Sequence, residues 1–123
     1  MRGLLDTHVV LWWLADDDRL SAAHRAMIGD PDNELFVSAV TVAEVSIKAS
    51  LGKLQAPESF NDAVRDSGFR ELPLASSHAE ELRQLPWHHR DPFDRMLVAQ
   101  AIAEHLDLVT ADTRLSAYPV RCV

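Results

Sequence analysis

Short apolar runs alternate along this chain with longer segments whose apolar positions recur at helical spacing. Arg2 to Leu5 is a run that stops at Asp6, and Thr7 to Ala15 continues in good helix formers without a breaker, which predicts strand, acid, helix. Ser21 is placed to cap a second helix reaching about Gly29, where the glycine and Asp30-Pro31 stop it. Leu35, Phe36 and Val37 read as a strand buried on both faces, and Thr41 opens a helix that Gly52 closes, with Glu44 in its first turn. Ser59 to Ser67 predicts another helix ended by Gly68, Phe69 to Leu72 a third strand, and Ser77 with Glu80 a capping box for a polar helix stopped by Pro86. Asp91-Pro92 is a strong helix start, followed by the apolar stripe Met96, Leu97, Ala99, Ile102 and Ala103, with Asp94 in the first turn. Leu106 to Val109 reads as a fourth strand, Asp112 starts a short helix, and Val120 to Val123 predicts a fifth strand. Alternation of this kind predicts an α/β fold around a mainly parallel sheet of about five strands.

Composition narrows this picture. With 123 residues, 47% hydrophobic and 25% charged, the chain suits one domain over 1–123, and no stretch reads as a linker, repeat or low-complexity run. Asp6, Thr7 and His8 interrupt the first apolar run, and no small-residue cleavage site follows it. Other apolar runs fall short of the roughly 20 residues a membrane helix needs. A cytoplasmic protein without membrane attachment is expected. The single cysteine, Cys122, cannot form an internal disulfide and reads as a structural thiol. A formal net charge of −7 opposes general attraction to nucleic acid, unless several acids share one site with divalent cations. The same charge suits a basic partner protein.

Such a gathering of acids is what the element pattern predicts. In an open parallel sheet the carboxyl ends of all strands meet one edge, where ligands bind. Asp6 and Asp112 follow strands, and Glu44 and Asp94 sit near the starts of helices that begin at that edge. Two carboxylates about 4 Å apart repel by roughly 4 kcal/mol at an effective dielectric near 20, so the cluster must protonate or bind cations. Hard oxygen donors, with neither cysteine nor well-spaced histidines, favour Mg²⁺ or Mn²⁺. The expected chemistry is metal-assisted phosphodiester hydrolysis, with Asp6, Glu44 and Asp94 as principal ligands and Asp112 positioning metal or water. Thr7, Ser38 and Thr110 are expected to support them by hydrogen bonds.

The segments LLDTHVVLWWL, SAVTVAEVSIK, DPFDRMLVAQA and LVTADTRLSAY, spanning Leu4 to Tyr118, together resemble the VapC-like branch of the PIN-domain family. The family's acids fall on Asp6, Glu44, Asp94 and Asp112, while Asp91 reads as a helix cap. The resemblance implies a three-layer α/β/α fold and a Mg²⁺- or Mn²⁺-dependent endoribonuclease. It also implies a toxin that is commonly a homodimer and is held inactive by a small VapB-like antitoxin whose tail enters the acidic groove.

Each acid alone has a plainer reading as a helix cap or a dipole partner, and Thr41 with Glu44 forms a capping-box pattern. His88 and His89 are adjacent, lack a second spaced pair and predict a solvated loop. His8 is open between substrate contact and first-turn polarity. Lys48 is spaced to pair with Glu44, and Arg95 and Arg114 read as exposed salt-bridge partners. Trp12 and Trp13 predict core packing, and a surplus apolar face there or on Val42 to Leu51 would mark a partner contact. A phosphoacceptor receiver domain of similar size needs an aspartate after the middle strand and a lysine after the last, and neither is present. A housekeeping RNA-processing nuclease and a noncatalytic binding domain on the same scaffold remain the alternatives.

Overall fold

The computed structural model describes residues 1–123. Four short strands, β1 (Arg2–Leu5), β2 (Glu34–Ser38), β3 (Arg70–Leu72) and β4 (Asp107–Val109), form a parallel sheet in the order β3-β2-β1-β4. Between them run α1 (Thr7–Leu14), α2 (Ala22–Gly29), α3 (Ala39–Ser50), α4 (Phe60–Asp66), α5 (Ser76–Glu81) and α6 (Pro92–Glu104), with a 3₁₀ turn at Thr113–Ala117.

Strand residues alternate between two cores. Leu5, Leu35, Val37 and Val109 face the side covered by α1, α2 and α4, where Val9, Val10, Ile28, Phe60 and Val64 pack. Leu4 and Leu108 face the opposite side, against Leu97, Val98 and Ala101 of α6. Helix α3 contributes Val45 to the first core and Val40 to the second. Helices on both faces of a parallel sheet make the expected three layers.

Three boundaries differ from the sequence pattern. Helix α3 is capped by Ser38, whose hydroxyl accepts the Val40 N–H, so Thr41 lies inside it and Glu44 falls beyond its first turn. The fifth strand shrinks to a single parallel bridge between Leu108 and Cys122. Segment 121–123 still runs along β4, where the Leu108 N–H donates to the Arg121 carbonyl and the Val123 N–H to that of Leu108. Pro119 offers no N–H to extend this ladder backwards. The pattern at Ser77 and Glu80 likewise gives no cap. The cap position of α5 falls on Ala75, two residues earlier, and His78 Nδ1 accepts the Ala75 N–H instead.

Candidate active site

β1 has β2 on one side and β4 on the other, so the connections leaving β1 and β4 part at the carboxyl edge and leave a crevice there. An open cleft of about 370 Å³ occupies that edge, and Asp6, Asp94, Asp112, His89, His8 and Trp12 are among its lining residues. A larger hollow beside α5, lined by Ala79, Glu80, Arg83 and Gln84, brings together no comparable set of ligand groups.

Asp6 occupies the cap position of α1, yet its side chain accepts no helical N–H. It turns aside to accept the Thr110 hydroxyl at 2.8 Å through Oδ2, while Oδ1 is buried without any hydrogen-bond partner. The residue is only 4% exposed. An orphaned carboxylate oxygen in such a place costs on the order of 1–3 kcal/mol or more. Burial, aided by the nearby Glu44 charge, raises the Asp6 pKa above the ordinary carboxylate value despite the Thr110 bond. The plain capping role is therefore not what this side chain performs.

Asp94 lies in the first turn of α6, where Asp91 is the actual cap, accepting the Phe93 and Asp94 N–H groups. Burial pushes the Asp94 carboxyl up to about 6; the His89 hydrogen bond opposes this, and the charges of Asp6, Asp91 and Glu44 add to it. Asp112 caps the 3₁₀ turn and is gripped by Arg114 through both oxygens, which holds it below the usual carboxylate range.

Glu44 sits behind the cleft rather than among its lining residues. Its Oε1 accepts the Thr7 hydroxyl at 2.8 Å and its Oε2 accepts Lys48 Nζ, and this contact is the chief reason the Lys48 pKa is raised. Lys48 is half-buried rather than fully exposed. Two of the acids thus already have a basic partner, Lys48 on Glu44 and Arg114 on Asp112. Asp6 and Asp94 have neither lysine nor arginine, and theirs are the carboxyls raised by burial.

Of the supporting residues, Thr7 and Thr110 meet Glu44 and Asp6 as expected, whereas Ser38 donates to Gln100 and touches none of the acids. His89 overturns its assignment to a solvated loop: Nε2 lies 2.8 Å from Asp94 Oδ2 and the side chain is 12% exposed. One ligand atom each from His89, Asp94 and Asp112 lies within 4.8 Å of the others. Adjacent histidines and a missing second pair concealed it, since proximity here comes from the loop between Pro86 and Asp91 folding back. Arg95 also departs from its expected exposed pairing. It is buried, with no carboxylate partner, and donates to the carbonyls of Leu85 and Pro86 and to the Tyr118 hydroxyl.

The donor set fits a divalent cation. Hard carboxylates converge at helix starts, one buried oxygen has no donor, and two acids lack a basic partner. Elsewhere, Ile47 on α3 and Leu51, the residue that follows it, are 49% and 61% exposed, the surplus apolar face anticipated between Val42 and Leu51. Trp12 and Trp13 pack against the first core while half-buried. No helix is long and apolar enough to cross a membrane.

A parallel α/β sheet carrying an acidic crevice at its carboxyl edge defines a class, and the comparisons specify it. The sequence model of the PIN domain family matches residues 3–120, and the chain belongs to that family. It is 33% identical to ribonuclease VapC22 of Mycobacterium tuberculosis, over 94% of this chain and 90% of the relative. Among solved structures, VapBC2 from Rickettsia felis bound to a DNA fragment from their promoter superposes with a TM-score of 0.73 at 15% identity, covering 100% of this chain and 98% of that one. A toxin–antitoxin complex from Klebsiella pneumoniae gives 0.66 at 19% identity, covering 98% and 95%. These two likenesses are of fold.

Proposed function

We propose that residues 1–123 act as one PIN domain, a metal-dependent endoribonuclease that is the toxin of a VapBC-type pair. The observation that carries this reading is the buried, half-unpartnered Asp6 beside Asp94 and Asp112 in the cleft of a PIN-family chain. The ribonuclease relative at 33% identity supports RNA as substrate, and the toxin–antitoxin neighbour supports a protein partner. Asp6, Glu44, Asp94 and Asp112 form the catalytic acid group, with Asp6, Asp94 and Asp112 facing the cation and Glu44 supplying charge behind them. Glu44 joins the ligands once Lys48 releases Oε2.

Mg²⁺ or Mn²⁺ bound here supplies water activation and neutralises charge at the phosphate. The protein's own part is positional. Thr110 fixes the rotamer of Asp6, Thr7 that of Glu44, and the Asp91 cap the first turn carrying Asp94. Arg114, largely exposed, can exchange Asp112 for a substrate phosphate. A small VapB-like antitoxin with a basic tail suits the acidic cleft and the net charge of −7, and the apolar face of α3 suits a homodimer or antitoxin contact.

The test is cleavage of a structured RNA by the purified chain in Mg²⁺, Mn²⁺ or EDTA, beside Asp6→Asn and Asp94→Asn variants with wild-type circular dichroism. Metal-dependent cleavage should fall at least about a hundredfold in each variant, the scale on which loss of a key electrostatic group acts. Cutting by both folded variants at the wild-type rate would refute the assignment.

A further inference from the structure

The acidic crevice contains a nitrogen that the four-acid reading does not use. We propose that His89 is a direct ligand of the cation through Nε2, beside Asp94 and Asp112, and that this nitrogen biases the site towards Mn²⁺ over Mg²⁺. The proposal rests on the metal-dependent reading above and adds a residue and a selectivity to it.

Three observations carry the inference. First, one ligand atom each of His89, Asp94 and Asp112 lies within 4.8 Å of the others, and His89 Nε2 itself lies 2.8 Å from Asp94 Oδ2. Atoms each about 2.1 Å from one ion lie at most about 4.2 Å apart, so shifts below about 1 Å close the set. Second, Asp6 is an independent sign that something else occupies the cleft: it is 4% exposed, lines the same space, and its Oδ1 has no partner. Third, the loop carrying His89 is tied down. Arg95, itself 4% exposed, spends its guanidinium on the carbonyls of Leu85 and Pro86 and on the Tyr118 hydroxyl. That hydroxyl accepts the His89 N–H at 2.9 Å. A buried arginine without an acidic partner is costly, and here its hydrogen bonds fix the backbone immediately around the histidine.

A neutral imidazole binds through a lone pair, so in the loaded protein the ring proton resides on Nδ1 and the Nε2 bond to Asp94 is exchanged for the metal. Imidazole is a poor donor for Mg²⁺, which prefers oxygen and retains its waters, and a good one for first-row transition ions. A histidine that only hydrogen-bonds Asp94 would instead support both ions alike. Selectivity therefore separates ligation from support.

Pulsed electron paramagnetic resonance on the Mn²⁺-loaded full chain tests this directly. We expect a ¹⁴N coupling from coordinated imidazole that is lost in His89→Gln and retained in His8→Gln. Mn²⁺ affinity should fall at least about tenfold in His89→Gln, while Mg²⁺ affinity, measured by competition against the Mn²⁺ signal, should change less than about threefold. Bound Mn²⁺ without nitrogen coupling in the wild-type chain would overturn the proposal, whatever the variant's stability. So would coupling that survives in His89→Gln, or parallel loss of both ions. Those results leave the acidic site standing if Asp6→Asn and Asp94→Asn abolish Mn²⁺ binding. A wild-type chain that binds no Mn²⁺, or acid variants that bind it as well as wild type, would overturn both readings.

Discussion

Asp94 shows how one side chain can tax the fold that positions it. Burial pushes its carboxyl up to about 6 in the folded chain, against about 3.9 in an unfolded one. Between those values the folded state holds more proton than the unfolded state, so stability falls as pH rises through that window and stays lower above it. A gap of about 2 pH units corresponds to about 3 kcal/mol. Asp94→Asn removes the penalty while weakening the His89 contact. In EDTA we expect the variant to be more stable than wild type by about 1–2 kcal/mol at pH 7.5 and about equal at pH 4, by thermal denaturation. Equal stability at both pH values would mean that Asp94 is better solvated than its 18% side-chain exposure implies. At this scale the acids were legible in the sequence, because residues that follow parallel strands or open helices share one edge. Their inequality was legible only in part. The i, i+4 spacing gave Lys48 to Glu44, whereas the pairing of Arg114 to Asp112 and the want of any lysine or arginine at Asp6 and Asp94 depend on side-chain directions that spacing does not encode. His89 was hidden for the same reason.

Whole elements add their own constraints. Helix α6 ends on His105, which has φ 54° in the left-handed region and is exposed. Such a conformation costs a non-glycine residue about 1 kcal/mol, and glycine is the usual residue where a helix ends this way. His105→Gly should raise the unfolding free energy by about 0.5–1 kcal/mol, read from urea denaturation with an unchanged slope. The loop before α6 behaves oppositely. Arg95→Met removes the donor to three carbonyls and a hydroxyl, and should cost about 2–3 kcal/mol and speed amide exchange across residues 85–90. Tyr118→Phe should cost only about 1 kcal/mol. Helix starts and stops were readable where the signal was local and unopposed, as at Asp91-Pro92 and at Gly68, whose φ is 84°. They misled where a stronger cap lay upstream, as Ser38 does for Thr41. The fifth strand failed because pairing needs a ladder of donors, and Pro119 interrupts that ladder upstream of the one bridge at Cys122.

For the molecule as a whole, alternation of strand and helix predicted three layers, because strands buried on both faces must be covered on both. The two cores on either side of β1 and β4 bear this out. That sheet also concentrates charge: a chain of net charge −7 places buried Asp6 and Glu44 and half-buried Asp94 and Asp112 around one crevice, with Lys48 and Arg114 the only two of its lysines and arginines paired to them. On the proposed assignment the folded state is destabilised by its own site until a cation enters, and the unfolded chain has no equivalent site. Binding linkage then fixes the consequence, since an ion at 100 times its Kd stabilises the folded state by about 2.7 kcal/mol. For a chain of this length that amounts to a rise in Tm on the order of 10 °C. We expect Mn²⁺ to produce it in differential scanning calorimetry, EDTA to reverse it, and Asp6→Asn to abolish most of it. The same titration with Ca²⁺, which needs six to eight oxygen ligands, should shift Tm far less, because this crevice offers few. An equal rise with any divalent salt, retained in Asp6→Asn, would instead mean diffuse screening of the net negative charge rather than occupation of a site.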